Sequence, residues 1–389
     1  MPFSPITGTL LDIRALRQTR EVTAYHGGGL FPVLTMAPDS SIVAVLRGGA
    51  GHLGLEGRID IVRSRDAGLT WTQPQIVANS ETDDRNPAFG TSAAGTLILA
   101  YHRTFAYDVE GNYLAPPHPN DLRPCELLVT RSHDSGLTWE DPYLLSDELL
   151  LAGSPFGKIV TGRDGTLLLP IYHKPAPSLV SRPDELIPGD SCSYLIRSRD
   201  DGRTWEDPSL ICINSGEPAV IGLPNGDLLA VVRREQMGKT LWSTLSRDGG
   251  FTWSAPVQIT GEMRHPGDLL VLKDGSVLLV YGNRNSPPTR IEGRVSRDGG
   301  QSWLACLLLF SGNLRGYNAN SPYRVDLGYP SSILSGGRGV TMYYYHPTIP
   351  PTADIRRSGN PAYRADDYLA VAVSWDQDEL ISAVDQAIV

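Results

Sequence analysis

The chain has 389 residues with 41% hydrophobic residues, 40 glycines and 30 prolines, a composition typical of a turn-rich globular protein. Its length suits one large repeat domain, so we predict a single domain over residues 1–389. The formal net charge of −9 argues against nucleic-acid and anionic-membrane partners. Without a run of 18 apolar residues or a secretory leader pattern, we expect a cytoplasmic protein, or a secreted one whose leader has been removed.

The sequence contains no signal for a metal or a cofactor. The glycines at positions 27–29 are followed by no helix pattern and no Lys-Ser/Thr pair, which excludes a phosphate-binding loop. The four cysteines show no CxxC spacing, so free thiols are expected. They are Cys125, Cys192, Cys212 and Cys306.

Six segments of one pattern recur along the chain. Each has a residue followed by proline, then an apolar stretch, usually a glycine-containing turn, and a second apolar stretch. Pairs such as Asn225-Gly226 are strong signals for hairpin turns, so each segment predicts two antiparallel strands. The segments begin at Phe31, Asn86, Ser154, Glu217, His265 and Tyr329.

Five copies of an eight-residue pattern, spaced 48 to 68 residues apart, accompany these hairpins. Serine and aspartate can bind the backbone ahead of them, the fifth-position glycine can take positive φ, and tryptophan is a large apolar anchor. We therefore predict structural turns that fill gaps between neighbouring units. The copies are SRDAGLTW, SHDSGLTW, SRDDGRTW, SRDGGFTW and SRDGGQSW, beginning at Ser64, Ser132, Ser198, Ser246 and Ser296.

The octets resemble the Asp boxes of the sialidase (neuraminidase) superfamily. The resemblance implies an all-β fold, a six-bladed β-propeller with Asp-box repeats. The six hairpins agree with six blades, and we expect residues 368–374 to close the ring against the N-terminal segment around residues 20–29.

Equivalent positions of a repeat lie at equivalent radii, so the six residues that precede the prolines are expected to surround one axis. A ring containing glutamate, histidine, tyrosine and asparagine with arginines nearby is unsuited to an apolar centre and favours a ligand funnel. The aromatic run at positions 343–345 alternates along a strand, so half of it should pack between blades.

The resemblance extends to individual residues. In sialidases a glutamate opens the fourth blade, an arginine ends the same hairpin and a tyrosine opens the sixth blade, as do Glu217, Arg233 and Tyr329 here. It implies that Tyr329 is the nucleophile and Glu217 the base that activates it. A neutral phenol suits an anomeric carbon that bears a carboxylate, because an anionic nucleophile would be repelled.

The chain also departs from the family pattern. Leu30 stands where sialidases supply the first of three carboxylate-binding arginines. The acid/base aspartate of the family has no clear match among His52, Glu56 and Asp60. Of these we favour Glu56, because it lies among glycines in a loop, whereas Asp60 falls within an alternating strand.

Several other polar residues are candidate substrate ligands. Arg233 is the strongest by position, and planar guanidinium groups suit a substrate carboxylate. His265 either contacts substrate or is structural, and Asp83 and Asp84 either pair with Arg85 or supply the missing acid. Arg284 or Arg290 would serve as the third arginine, and Arg85, Arg264 or Arg47 would compensate for the first.

Three functional hypotheses follow. The first is an exo-acting glycoside hydrolase that removes a terminal sialic acid or related acidic sugar from a sialoglycoconjugate or another acidic glycan. The second keeps the chemistry but changes the sugar to a Kdn-type glycoside or a uronide. The third is a carbohydrate-binding propeller without catalytic activity, since a fold does not fix a function.

Overall fold

The computed structural model describes residues 9–114, 125–145, 153–284, 289–311, 324–349 and 365–388. These residues form six β-sheets whose innermost strands contact one another in a closed circle. The predicted fold class, a six-bladed β-propeller, is confirmed. Among the described helices, none is long and apolar enough to cross a lipid bilayer.

Each blade is built on a four-stranded sheet. The blades are numbered in chain order around the ring, and the strands of each blade are given from the innermost to the outermost. Blade 1 comprises Gly28–Met36, Ile42–Gly48, Arg58–Ser64 and Gln75–Ala78. Blade 2 comprises Asp83–Thr91, Leu97–Thr104, Cys125–Ser132 and Tyr143–Leu144, with Gly157–Lys158 added in parallel to its inner strand. Blade 3 has a divided inner edge, Ser154–Pro155 and Val160–Thr161, followed by Leu167–His173, Cys192–Ser198 and Glu206–Cys212.

The second half of the ring repeats this plan. Blade 4 comprises Gly216–Gly222, Leu228–Arg234, Thr240–Ser246 and Val257–Gln258. Blade 5 comprises Arg264–Val271, Val277–Asn283, Arg290–Ser296 and Cys306–Leu309, with Thr9–Asp12 added in parallel outside. Blade 6 comprises Arg324–Ser335, Arg338–Ile349, Leu369–Asp376 and Arg20–His26.

Blade 6 joins the two ends of the chain. Its outer strand, Arg20–His26, pairs antiparallel with Leu369–Asp376, so the predicted closure is confirmed. The helix Gln377–Ala387 follows and packs Leu380 and Val384 into the apolar cluster of blades 5 and 6. Short 3-10 helices lie at Ile13–Ala15, Pro183–Glu185, Glu235–Met237 and Ala365–Asp367.

The octets form the predicted turns between the third and fourth strands of blades 1 to 5. In the first copy, the Ser64 hydroxyl accepts a hydrogen bond from the Gly68 amide at 2.8 Å. One oxygen of Asp66 accepts from the amides of Leu69 and Thr70 at 3.1 and 2.9 Å. These side-chain bonds replace backbone pairing where the chain reverses direction, which explains why serine and aspartate recur.

The octet glycines have φ between 78° and 88°, as predicted. A Cβ atom at Gly68 would lie 2.9 Å from Val340 in blade 6, and one at Gly250 would lie 2.6 Å from Leu195 in blade 3. Each turn thus packs closely against the preceding blade. The octet tryptophans reach the same inter-blade clusters, which confirms that the turns fill gaps between units.

Candidate active site

The inner strands are irregular where the residue-proline pairs occur. Pairing with the second strand shifts register at this point in blades 1, 2, 4, 5 and 6. Proline has no N–H to donate to a ladder, so it suits such a bulge, and a bulge redirects neighbouring side chains. Four pre-proline residues have nearly identical left-handed φ values of 49° to 54°: Phe31, Asn86, Glu217 and Tyr329.

These bulges bring side chains of different blades together at the axis, in a space called the central pit below. The Tyr329 hydroxyl of blade 6 donates to Glu217 of blade 4. The Phe31 and Tyr329 rings meet edge to face with centroids 4.6 Å apart. The Asn86 amide donates to the Ser154 hydroxyl at 2.9 Å. The pre-proline positions therefore converge on one central pit.

Arg233 fixes the carboxylate of Glu217. Its guanidinium donates to one Glu217 oxygen at 2.8 Å, and the other Glu217 oxygen accepts from Tyr329. A second guanidinium nitrogen bonds Glu235. Burial alone would lower the pKa of Arg233, but the charges of Glu217 and its neighbours raise it, so the guanidinium stays charged. Sequence analysis missed Glu235, which begins the 3-10 helix directly after the strand that carries Arg233.

Tyr329 lies in a setting that holds the proton on its phenol. Burial raises its pKa well above the ordinary value, and the neighbouring Glu217 raises it further. Arg284 and Arg233 act in the opposite direction. The Arg284 guanidinium carbon lies 5.6 Å from the Tyr329 ring centroid. The phenol therefore loses its proton only to a partner, and Glu217 is in hydrogen-bond contact with it.

Arg284 is oriented by residues that precede and follow the blade 6 bulge. It donates to Asp326 at 2.9 Å and to the Tyr344 hydroxyl at 2.8 Å, and that hydroxyl donates to Asp326 at 2.9 Å. Tyr344 faces the central pit, whereas Tyr343 and Tyr345 pack between blades 5 and 6, as the alternation predicted. Sequence analysis missed Asp326.

Arg85 and Arg47, both predicted substrate ligands, differ in exposure. The Arg85 side chain is 11% exposed and lies 3.6 Å from Asp83. The Arg47 side chain is fully enclosed, pairs with Asp83 and donates to the carbonyls of Gly51, Gly54 and Asp84. Arg47 thus presents no atom to the central pit, and its contacts hold the neighbouring loop.

The acidic residues beside Arg85 are also engaged. Asp83 accepts from Tyr107 and Arg47, and Asp84 accepts from the Ser80 amide at 2.7 Å and from Arg103 at 3.1 Å. Both side chains are fully buried. Asp83 thus lies beside Arg85, as the pairing alternative held, whereas Asp84 pairs with Arg103 instead.

Arg264 and Arg290 share a carboxylate in blade 5. Arg264 lies 3.2 Å and Arg290 2.6 Å from Glu292, whose side chain is fully buried. Asn283 also donates to Glu292 at 3.0 Å. Both arginines therefore belong to one ion-pair cluster, and among the described residues no hydrogen bond or ion pair joins that cluster to Tyr329 or Glu217.

His265 is 3% exposed and lies at the equivalent position of blade 5. Neither ring nitrogen has a hydrogen-bond partner among the described residues. Burial lowers the pKa of His265, and Arg233, Arg284 and Lys239 lower it further, so the ring is neutral. An unpaired buried imidazole beside two arginines is consistent with either role proposed for it from sequence.

The three acid/base candidates occupy different surroundings. Glu56 is exposed, and no described contact joins it to Tyr329 or Glu217. Asp60 is buried between Tyr25 at 2.6 Å and Arg58 at 2.9 Å. His52 is half-buried, with its ring 5.1 Å from that of Phe31.

An ion pair crosses the axis beneath the central pit. The Lys158 ammonium lies 2.8 Å from Asp268 of blade 5 and donates to the Leu269 carbonyl at 2.9 Å. Asp268 also accepts from the Ser332 amide at 2.7 Å. These bonds tie three blades together and form the floor of the central pit. Within the described residues, no His, Cys, Asp and Glu group is placed to hold a metal ion.

By its fold and site, the protein is a six-bladed propeller with a tyrosine, a glutamate and several arginines converging at its axis. The chain belongs to the BNR repeat-like domain family, whose model matches residues 42–342, and with it to the sialidase superfamily. A sialidase of Micromonospora viridifaciens is 25% identical over 297 residues, which cover 70% of this chain. They cover 44% of that relative, so the chain matches less than half of its length.

Two solved structures share the fold. A protein of unknown function from Dyadobacter fermentans superposes with a TM-score of 0.71 at 21% identity, covering 93% of this chain and all of the other. The sialidase of Trypanosoma rangeli in complex with sialic acid superposes with a TM-score of 0.64 at 14% identity, covering 97% of this chain and 61% of the other. At these identities the likeness concerns the fold alone.

Proposed function

We propose that the protein is an exo-acting glycoside hydrolase of the sialidase type that removes a terminal acidic sugar. The observation that carries this proposal is the hydrogen bond from the Tyr329 phenol to the Glu217 carboxylate at the axis of the propeller. Family membership and a sialidase relative support the same class of reaction. The arginines near the pair favour an anionic substrate.

In the proposed reaction, Tyr329 attacks the anomeric carbon while its phenolic proton passes to Glu217. The raised pKa of Tyr329 makes this transfer necessary, because a free phenolate is disfavoured in the buried site. Arg233 keeps the Glu217 carboxylate facing the phenol. Arg284, beside the Tyr329 ring and 14% exposed, is suited to receive the substrate carboxylate.

Release of free sugar from an aryl α-sialoside tests the proposal. Tyr329→Phe removes the nucleophile and Glu217→Gln removes the base, so each variant should lose at least about a hundredfold in kcat. Circular dichroism and thermal melting would show that the variants remain folded. Full activity in both variants would contradict the assignment, and glycan binding without product in the wild type would support a non-catalytic propeller.

A second candidate substrate follows from the surroundings of Leu30. This side chain is completely buried in an apolar cluster with Phe31, Tyr344 and Tyr368. Without an arginine at this position the carboxylate clamp of the family is weakened, so a different acidic sugar, such as a Kdn-type glycoside or a uronide, is the second candidate. Parallel assays on sialosides, Kdn glycosides and uronides separate these candidates, and turnover of uronides alone would support the second.

A further inference from the structure

We propose that His52 protonates the leaving-group oxygen, a role that rests on the proposed function. The Tyr329–Glu217 pair supplies a nucleophile and its base, but cleavage of a glycosidic bond also needs an acid near the opposite side of that bond. Among the described candidates for this task, Asp60 and Asp83 are buried with partners and Glu56 is exposed.

The position of His52 suits this task. Its ring meets Phe31 edge to face at 5.1 Å, and Phe31 meets Tyr329 at 4.6 Å. The centroids of the His52 and Tyr329 rings are therefore at most about 10 Å apart, and both rings contact Phe31. Glycosidases that form a covalent intermediate place their two catalytic carboxyl groups about 5–5.5 Å apart, and the upper limit of about 10 Å here allows such a separation. The half-buried His52 ring makes no hydrogen bond to another described residue, which leaves its nitrogens available to a substrate.

The loop that carries His52, residues 49–57, is fixed from several directions. Arg47 donates to the carbonyls of Gly51 at 2.8 Å and Gly54 at 3.2 Å. The Gly54 amide donates to the Tyr107 hydroxyl of blade 2 at 2.9 Å. A buried arginine and a neighbouring blade thus hold the backbone on both sides of His52. Catalytic groups need such a supported position.

The charges around His52 link its protonation to an anionic substrate. Burial lowers the pKa of His52 to about 3, with a further decrease from Arg85, Arg284 and Arg47 and an opposing effect of Asp326. The imidazole of the free protein is therefore neutral at neutral pH. A bound carboxylate offsets the arginine part of this decrease, so we expect the pKa of His52 to be higher in the substrate complex, which favours uptake of the proton that the reaction uses.

The proposed reaction has two steps, and each proton given up in the first step is returned in the second. Tyr329 forms a bond to the anomeric carbon and gives its proton to Glu217, while the bond to the leaving oxygen breaks and that oxygen takes a proton from the His52 imidazolium. Water then attacks the anomeric carbon and returns a proton to His52. The bond to Tyr329 breaks, and the phenol regains its proton from Glu217.

The test compares His52→Gln with wild type on two substrates that share one sugar. One carries a 4-nitrophenyl group, which leaves without a proton, and the other carries a galactose, which needs one. We expect His52→Gln to lose about 10²- to 10⁴-fold in kcat on the substrate whose leaving group is galactose, and less than tenfold on the 4-nitrophenyl substrate. His26→Gln, at an exposed histidine on the outer strand of blade 6, is the matched control and should keep wild-type rates on both. Equal losses on both substrates, or none, would overturn the proposal.

A measurement without turnover separates this proposal from the proposed function. The His52 imidazole is titrated by NMR with and without 2-deoxy-2,3-didehydro-sialic acid, using His52→Gln to assign its signal. We expect the anion to shift the titration of His52 to higher pH. Binding of the anion without that shift would overturn the role of His52, whereas wild-type inactivity on both glycosides would overturn the proposed function itself.

Discussion

At the residue scale, the sequence allowed us to predict the position of those side chains whose orientation is set by their immediate neighbours in the chain. Glu217 and Tyr329 precede prolines in equivalent strands, and the bulge that proline favours turns both toward the axis. For Arg264 and Arg290, the sequence could not distinguish a structural ion pair from a substrate contact. Their partner, Glu292, is identified by strand pairing and not by a motif.

Arg233 offers a residue-scale prediction. Arg233→Lys loses the planar group that bonds Glu217 and Glu235 at once, so kcat/KM on an aryl glycoside should fall about ten- to hundredfold. Arg290→Lys is the control, since Arg290 lies in the Glu292 cluster, and it should change kcat/KM less than threefold. Equal effects of the two substitutions would contradict the orienting role of Arg233.

At the scale of elements, the conformation of the octet turns could be predicted from the sequence, whereas the position of the 49–57 loop could not. Each octet carries its own hydrogen-bond partners, so its conformation follows from eight residues. The 49–57 loop instead depends on Arg47 from its own blade and on Tyr107 from the next. Sequence analysis favoured Glu56 because it lies among glycines. It could not place His52 against Phe31, because the contacts that orient this loop come from distant parts of the chain.

The octet glycines make an element-scale prediction with a matched control. Gly250 and Gly249 both have positive φ, but only a Cβ atom at Gly250 meets a neighbour, Leu195 at 2.6 Å. Gly249→Ala should destabilise the fold by about 1 kcal/mol through backbone strain, and Gly250→Ala by about 1–3 kcal/mol more through overpacking. Urea denaturation measures both, and equal losses would show that inter-blade packing at the turn is unimportant.

At the scale of the whole molecule, buried tyrosines make stability depend on alkaline pH. Burial raises the pKa of Tyr101, Tyr143 and Tyr345 to about 12, above the value near 10 of an unfolded chain. Because the folded-state pKa is the higher one, this contribution to stability is fully present below pH 10. It is lost as the pH rises from 10 to 12.

We therefore expect the free energy of unfolding to fall by about 1.4 kcal/mol per pH unit for each such tyrosine above pH 10. Urea titrations at pH 8, 10 and 11 measure this decrease. Tyrosinate absorbance at 295 nm should appear for these residues together with unfolding. Full ionisation of all tyrosines near pH 10, with native structure retained, would contradict the prediction.

The shared sixth blade has a consequence for synthesis. Its outer strand, Arg20–His26, is synthesised before the four-stranded sheets of the other five blades, and its partner Leu369–Asp376 is synthesised after them. The earlier strand therefore stays unpaired until all the intervening strands have been made. Over that interval the nascent chain carries backbone donors and acceptors without their partner strand, and termination of translation before residue 369 leaves them available to other polypeptides.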